Sequence, residues 1–599
     1  MQFVEEIKKL LTVAGVKGNV ELTTPPNPEM GDFAFACFNI AKEWKISPAE
    51  AAKKITSVIA TRLGGEAIPG VGSVNKGIVP ISKIADPVRY GTASLAAPRN
   101  DIVKRIEAMG PYVNFYLKTS ELAKSVLGEI YKQKNKYGDS KTGKGKKVMI
   151  EYPSNNTHKE FHIGHFRNVC IGNTLVKLYE ICGYKVYPVN YLNDFGNHVA
   201  KCLWGLLKFH KNEKPPENKQ KWLGDIYAEA SQKLKENESY AAEVADVQKK
   251  LEERDPELWP LFMETREWSV EKFEEIFKQL GVKHAAVWYE KDLKDEGQKI
   301  TDELVQRGVA EIGEGGAVII DLSKYNLDVA LLRKSNGAGL YLTSDLPLAM
   351  AKFKKFKVDE SIVITGTEQN FYFKQLYKIL EIIGFKKKLT HIGYGLVNLK
   401  EGKMSSRLGN VILYEDLRDE IYEKLKVESA QRHPDWNEKK IKQTSHFLTM
   451  AALKFDMQKH EASKNITFDI KEATSFDGFT GPYVLYVVAR INSLVRKSPL
   501  GRGRGGLENL KTQEEKKLLL FLAKYEEVIT EALKQYNPSM VTRYCFDLAQ
   551  QFNDFYNKHS VLGAGNAELI KARLALSMST KKVLENALGL LTIETVEEM

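Results

Sequence analysis

The chain is poor in cysteine. Five thiols stand among 599 residues, Cys37, Cys170, Cys182, Cys202 and Cys545. None forms a Cys-x-x-Cys pair and the odd number leaves at least one unpaired, which excludes a disulfide-stapled scaffold and points to a reducing compartment. Long apolar runs are lacking too: no stretch reaches the ~18 residues needed to span a bilayer. The opening segment Met1–Leu11 alternates apolar residues with Glu5, Glu6, Lys8 and Lys9 in a helical rhythm, which a signal-peptide core of about 7 to 15 apolar residues would not tolerate. No internal repeat is visible. The expectation is a cytoplasmic protein without membrane association.

What is present is length. At roughly 100 to 200 residues per domain the chain should hold three to five domains. With 43% hydrophobic and 28% charged residues it is neither disordered nor fibrous. Lys and Arg outnumber Asp and Glu by 88 to 77, a net charge of +11. A polyanionic partner fits that excess, although over so long a chain the signal is weak.

Residues 1–118 read as an α+β module: an amphipathic helix, breakers at Pro25, Pro26 and Pro28, a helical stretch from Phe33 to Leu63, a Gly-, Pro- and Ser-rich loop from Gly64 to Asn100, and a β-like run through Tyr112–Tyr116. Residues 119–146 read as a linker, lysine-rich and solvated. Residues 147–435 alternate short apolar runs (Val148–Ile150, Tyr184–Leu192, Ser361–Thr365, Ile392–Val397) with helical stretches, the pattern of βαβ units and a doubly wound parallel sheet of Rossmann type; the charged helical part, 203–283, reads as an insertion. Residues 436–599 read as an all-α helix bundle broken at Ser498–Gly506. The lysine clusters Lys352–Lys357 and Lys386–Lys388 read as solvated faces.

Three motifs mislead. Gly501-Arg502-Gly503-Arg504-Gly505-Gly506 has dinucleotide-loop spacing but follows a helical stretch and Pro499, not a strand. Gly138 to Gly145 nearly matches a P-loop, yet Gly145 stands where a hydroxyl should hold Mg²⁺. In His158-Lys159-Glu160-Phe161-His162 the glutamate sits one place too late for a zincin helix, although His158, His162 and His165 could share a metal on one helical face.

Chemistry concentrates in two places. The strand Val148–Tyr152 leads through Pro153-Ser154-Asn155-Asn156-Thr157-His158-Lys159-Glu160-Phe161 into His162-Ile163-Gly164-His165 and a helical pattern. A strand, a polar turn and a helix N-terminus at the C-terminal edge of a parallel sheet make an anion site. His162 and His165 can donate to phosphate oxygens, and Gly164 lets a flat base approach the backbone. Read alone, the segment is equally a polar loop capping an ordinary helix. The second place, Gly402-Lys403-Met404-Ser405-Ser406-Arg407-Leu408-Gly409-Asn410, follows the run Ile392–Val397, and alone it reads as a surface loop.

Together the two resemble the paired ATP-binding motifs of class I aminoacyl-tRNA synthetases. The finer resemblance is to the arginyl-tRNA synthetase family. It runs through Gly31-Asp32-Phe33, Gly110-Pro111-Tyr112-Val113-Asn114-Phe115, Tyr191-Leu192-Asn193-Asp194-Phe195-Gly196, Tyr341-Leu342-Thr343-Ser344-Asp345, Glu368-Gln369, Thr480-Gly481-Pro482-Tyr483 and Phe552-Asn553-Asp554-Phe555-Tyr556, and covers nearly the whole chain in order. The resemblance implies ligation of L-arginine to tRNA(Arg) through an arginyl-adenylate, with ATP as substrate and Mg²⁺ as its companion ion, by a monomer that activates arginine only with its tRNA present.

The resemblance further implies site roles. Lys159, His162, His165 and Lys403 would be catalytic. Glu151, Ser154, Asn155, Asn156, His165, Tyr341, Asp345 and Gln369 would bind arginine. His162, Gly164, His165, Lys403, Met404, Ser405 and Ser406 would bind ATP, and no residue would hold a resident metal. The chemistry of the ligand agrees, because a guanidinium is a planar fork of N–H donors that stays charged and asks for carboxylates and an aromatic face, here Glu151, Asp345 and Tyr341. Where the family's second loop usually ends on another lysine this chain has Ser406-Arg407, and Lys159 just upstream of the histidine turn stands in the position thought to replace it. Phe195 and Tyr372 also depart from the usual Trp and His. An N-terminal appended domain would grip tRNA, and the bundle, with Tyr483, Tyr486, Phe552, Phe555 and Tyr556 beside Arg490, Arg543 and Arg573, would stack anticodon bases or simply pack.

Overall fold

In a computed structural model, residues 2–599 are described other than 19, 26, 63–101, 336, 338, 401–411, 499 and 501–504. The chain divides into two units, one of Met1–Lys134, Leu494–Lys524 and Gln551–Lys582, the other of Asn135–Ser493, Tyr525–Gln550 and Val583–Met599.

The first unit opens with α1 (Gln2–Val13) and an antiparallel sheet of order β1-β2-β4-β3, with β1 at Leu22–Thr23, β2 at Phe33–Ala36, β3 at Val103–Met109 and β4 at Tyr112–Leu117. Phe33–Ala36 was expected to begin a helix. Its Phe-Ala-Phe-Ala alternation has the period of a strand, and it pairs from Phe33 opposite Phe115 to Ala36 opposite Tyr112. Helices α2 (Phe38–Trp44) and α3 (Pro48–Arg62) follow, the latter starting on proline, whose fixed φ suits a first helical position. The loop expected over Gly64–Asn100 lies outside the described residues.

The linker expected over 119–146 is in its first half a helix, α4 (Thr119–Gln133). Leu122, Ala123, Val126, Leu127 and Ile130 recur at helical spacing and are buried, while the lysines that suggested a linker lie, apart from Lys132, beyond its end. Asp32, in the turn before β2, accepts from the Leu117 N–H at 2.6 Å and pairs with Lys516 at 2.6 Å.

In the second unit, β5 (Lys147–Glu151), β6 (Lys185–Leu192), β7 (Ala286–Tyr289), β11 (Glu360–Gly366) and β12 (Lys388–Tyr394) form a fully parallel sheet of order β12-β11-β5-β6-β7. Val148, Met149 and Ile150 are buried because helices cover both faces of the central strand. From β5 the chain crosses through α5 (Ile163–Ile181) to β6 on one side, and it later returns to β11 on the other. The crevice between β5 and β11 is therefore the switch point where ligands of open α/β sheets bind.

The insertion is helical, as its sequence implied: α6 (Asn197–Phe209), α7 (Lys219–Glu236), α8 (Tyr240–Glu252) and α9 (Leu258–Gln279) close on a core that includes Leu203, Trp204, Leu223 and Phe262. After α10 (Glu290–Gln306) comes a small antiparallel sheet of β8 (Glu311–Ile312), β9 (Val318–Asp321) and β10 (Val329–Arg333), then α11 (Tyr341–Phe356) and, after β11, α12 (Asn370–Ile382). The run Ile392–Val397 is split: β12 ends at Tyr394, and β13 (Val397–Leu399) pairs in parallel with β14 (Ile466–Phe468).

That β14 is a strand corrects the all-helical expectation for 436–599. After α13 (Tyr414–Arg432), which precedes it, the segment is otherwise helical: α14 (Glu438–Gln458), a short α15 (Ile470–Ala473), then α16 (Gly481–Lys497), α17 (Gln513–Ala523), α18 (Tyr525–Lys534), α19 (Ser539–Lys558) and α20 (Ala567–Leu590). Of its aromatics Phe552 and Phe555 are fully buried, while Tyr486 is 38% exposed beneath the Arg490 guanidinium, 4.7 Å from the ring centre. Arg573 is buried on Glu515 at 2.8 Å and belongs to the packing. Among the described residues no helix is long and apolar enough to cross a membrane.

Candidate active site

A cleft of about 460 Å³ opens at the C-terminal ends of β5 and β11. One wall is the first turn of α5. His162 is its N-cap: its Nδ1 accepts from the N–H groups of Gly164 (3.1 Å) and His165 (3.3 Å), and the Nδ1 of His165 accepts from the His162 N–H at 3.3 Å. The rings stack with centres 3.6 Å apart. Burial, then the charge of Lys159, holds His162 down to about 4; His165 lies well below its ordinary value through burial, His162 and Lys159. Both rings are therefore neutral near pH 7. With Nδ1 accepting, each carries its proton on Nε2, the state that donates to an anion. Gly164 has a second use here, since a Cβ would lie 3.0 Å from the His162 ring.

Opposite lies an acidic and phenolic end. Glu151 closes β5 and is buried; its carboxylate meets the ammonium of Lys352 from α11. Asp345, one turn into α11, accepts the hydroxyl hydrogen of Tyr372. Burial raises Asp345 to about 6, with Tyr372 and Lys352 opposing and Glu151 adding. Tyr341, Tyr191 and Gln369 line the same end. The Tyr191 hydroxyl and the Ser154 Oγ are buried with no hydrogen-bond partner among the described residues, which suits them to a ligand.

Most residues singled out in the sequence thus line one cleft: Glu151, Ser154, Asn156, His162, His165, Tyr341, Asp345 and Gln369. Asn155 is fully buried behind it, its backbone carbonyl accepting from Asn193 at 3.0 Å. Lys159 stands outside the lining with its ammonium 5.0 Å from the Tyr227 ring centre, close enough to act on both histidines. Lys403, Met404, Ser405 and Ser406 lie outside the described residues. His158 turns away from the other two histidines: it is fully buried, its ring nitrogens taken by Thr157 (3.0 Å) and Thr265 (2.9 Å), so a metal shared by the three is ruled out.

Three functional neighbours escaped sequence reading. Lys352 was assigned to a solvated cluster, yet it is 4% exposed and neutralises Glu151. Helical spacing was the available signal, since Leu348, Ala349, Lys352 and Phe353 share one buried face of α11. Tyr372, noted only as a departure, donates to Asp345 through its hydroxyl. Glu290, the first residue of α10, is 9% exposed, with one oxygen lacking a hydrogen-bond partner among the described residues; burial, then Asp345 and Asp194, pushes it up to about 8 against Lys294. A lone acid in a charged stretch carries no sequence signal.

The arrangement pairs a neutral donor wall with a carboxylate-rich, phenol-lined end, fit for a polyphosphate and a cationic amino acid side by side. Known proteins agree in order along the chain. Family models match as arginyl tRNA synthetase N terminal domain over residues 2–72, tRNA synthetases class I (R) catalytic domain over 126–470, and DALR anticodon binding domain over 484–599. An arginine–tRNA ligase of Clostridium botulinum is 32% identical, covering 99% of this chain and 100% of its own; one from Clostridium acetobutylicum is 32% identical over 96% and 95%. The solved Thermus thermophilus arginyl-tRNA synthetase shares the fold with a TM-score of 0.76 at 22% identity, covering 99% of both chains. Matched over nearly its whole length by these relatives and over residues 126–470 by the class I catalytic model, the chain belongs to the arginyl-tRNA synthetase family of class I.

Proposed function

We propose that the chain ligates L-arginine to tRNA(Arg). In the first step a carboxylate oxygen of arginine attacks the α-phosphorus of ATP, and the bond to the β-phosphate oxygen breaks, releasing pyrophosphate. In the second a ribose hydroxyl of the tRNA 3′-terminal adenosine attacks the arginyl carbonyl carbon; AMP leaves and the hydroxyl proton passes to solvent. The observation that carries this reading is the stacked pair His162 and His165, each with Nδ1 accepting a backbone N–H, lining one cleft with Glu151 and Asp345. Such fixed donors stabilise charge growing on the phosphates without reorganising. Lys159 and Lys403 supply positive charge, and Asp345, Tyr341 and Glu151 take the guanidinium end.

Among the described residues no group of three or more His, Cys, Asp or Glu side chains could hold a metal ion. Mg²⁺ enters this reading only as the counter-ion that ATP brings, and no step is routed through it. The exposed Tyr486 with Arg490 is the stacking platform we assign to anticodon bases, and we read the protein as a cytoplasmic monomer. The test is charging of tRNA(Arg) with each of the twenty amino acids in turn: arginine alone should be transferred, and transfer of a different amino acid, or of none, would overturn the reading.

A further inference from the structure

Arg167 lies in the second turn of α5, a few residues past His162 and His165, and is completely buried. Among the described residues no carboxylate lies within ion-pair distance of it. Its guanidinium instead donates to three backbone carbonyls: Gly395 (2.6 Å), Lys464 (2.8 Å) and Glu461 (3.2 Å). Burying a charge against neutral carbonyls alone is costly, and burial pulls the group down to about 10 although Tyr394, Cys170 and Asp456 oppose the shift. Such a residue persists where its geometry is needed.

The geometry is a crossing of two chain segments. Gly395 follows β12, and residues 461–464 precede β14. The Gly395 N–H donates to Ala462 at 2.9 Å, the Leu396 N–H to the Asn465 side chain at 2.8 Å, and the Ile466 N–H to Leu396 at 2.9 Å. A Cβ at residue 395 would stand 2.5 Å from the Lys464 carbonyl, so glycine is required for this approach. From the crossing the chain runs directly into β13. The first residue of α5 and the turn before it also bond the chain just ahead of α13: the Ile163 N–H donates to Ile412 at 2.9 Å, and the Tyr414 N–H to Phe161 at 3.2 Å.

We propose that Arg167 is a positioning residue for adenylate formation: by clamping the Gly395–Lys464 crossing it sets the distance between β13 and the His162–His165 pair. The proposal rests on the function given above, in which Lys403, four residues past the end of β13 in the sequence, supplies positive charge to the phosphates. It assigns Arg167 no contact with substrate. The planar fork matters as much as the charge, because it reaches two segments at once, and a lysine presents a single ammonium.

Pyrophosphate exchange with tRNA(Arg) present, measured against ATP and against arginine, tests this with Arg167→Lys and with Asn465→Ala, which loosens the same crossing from its exposed side. Both variants should raise KM for ATP and lower kcat, kcat/KM for ATP falling up to about 10²-fold for Arg167→Lys, as expected for displacements near 1 Å. KM for arginine should stay within about twofold of wild type. A purely structural role would reduce kcat in step with the fraction of folded protein and leave both KM values alone. That result, or a kcat/KM for ATP within about threefold of wild type in both variants, overturns the proposal. If Arg167→Lys does not fold, Asn465→Ala decides alone by the same criteria. A wild-type chain that fails to exchange with arginine would instead overturn the function beneath it.

Discussion

The Lys352 ammonium sits against the Glu151 carboxylate at the base of the cleft, with Lys352 4% and Glu151 3% exposed. Neither charge reaches bulk water, so each depends on the other. Replacing Lys352 with Met should destabilise the protein by about 3–5 kcal/mol, the usual cost of leaving one partner of a buried pair uncompensated. The double variant Glu151→Gln with Lys352→Met should recover much of that stability but not arginine binding. Urea unfolding and KM for arginine measure the two effects separately.

Tyr372 donates to Asp345 from the neighbouring helix α12. Tyr372→Phe keeps the ring and removes the donor, so the carboxylate loses its orientation and a hydrogen bond worth about 1.5–3 kcal/mol to a charged group. KM for arginine should rise roughly tenfold or more with KM for ATP unchanged; an equal effect on both would contradict the assignment of Asp345 to the guanidinium end.

Glu290, at about 8, and Asp345, at about 6, are carboxyls raised above their ordinary values. A carboxyl raised by folding lends its stability at low pH and loses it as pH rises through the folded value. Above about pH 7 the buried histidines, all held below their ordinary value, are neutral in both states and drop out of the balance. The empty protein should therefore lose thermal stability between pH 7 and 8.5, and Glu290→Gln should flatten that slope. Seating a guanidinium beside Asp345 favours the ionised carboxyls, so KM for arginine should fall across the same window and the stabilisation by arginine should grow.

Burial holds His162 and His165 down, the charge of Lys159 adds to it, and Lys159 stands on the turn that leads into them. Lys159→Ala should lower pyrophosphate exchange by about 10²-fold, the size of effect found when a charge stabiliser is removed. Rates within about threefold of wild type would remove it from the phosphate site.

Much of this was legible in the sequence, for reasons that are local. Val148–Ile150 has no polar alternation and so reads as a strand buried on both faces; the polar turn after it and the helical rhythm after His165 complete an anion site. Where local pattern misled, tertiary packing had overruled it. The lysines after Gln133 drew attention away from Leu122, Val126 and Ile130, whose spacing makes α4. The lysines from 352 to 357 hid the one that faces the sheet. Ile466–Phe468 became a strand because β13 offered it an edge, which no helical pattern in the surrounding segment foretells.

By itself the sequence determined the doubly wound sheet, the helical insertion, the two motifs and the acidic and aromatic residues suited to a guanidinium, because periodicity, turn chemistry and ligand chemistry are properties of short stretches. Only the tertiary structure decided that His162 and His165 are stacked, neutral and proton-bearing on Nε2, that Glu151 is already paired with Lys352, and that Tyr372 donates to Asp345. It alone showed Arg167 fastening α5 to a crossing more than two hundred residues further along the chain. Those outcomes depend on burial and on groups distant in sequence, and desolvation acts only once the chain has closed around them.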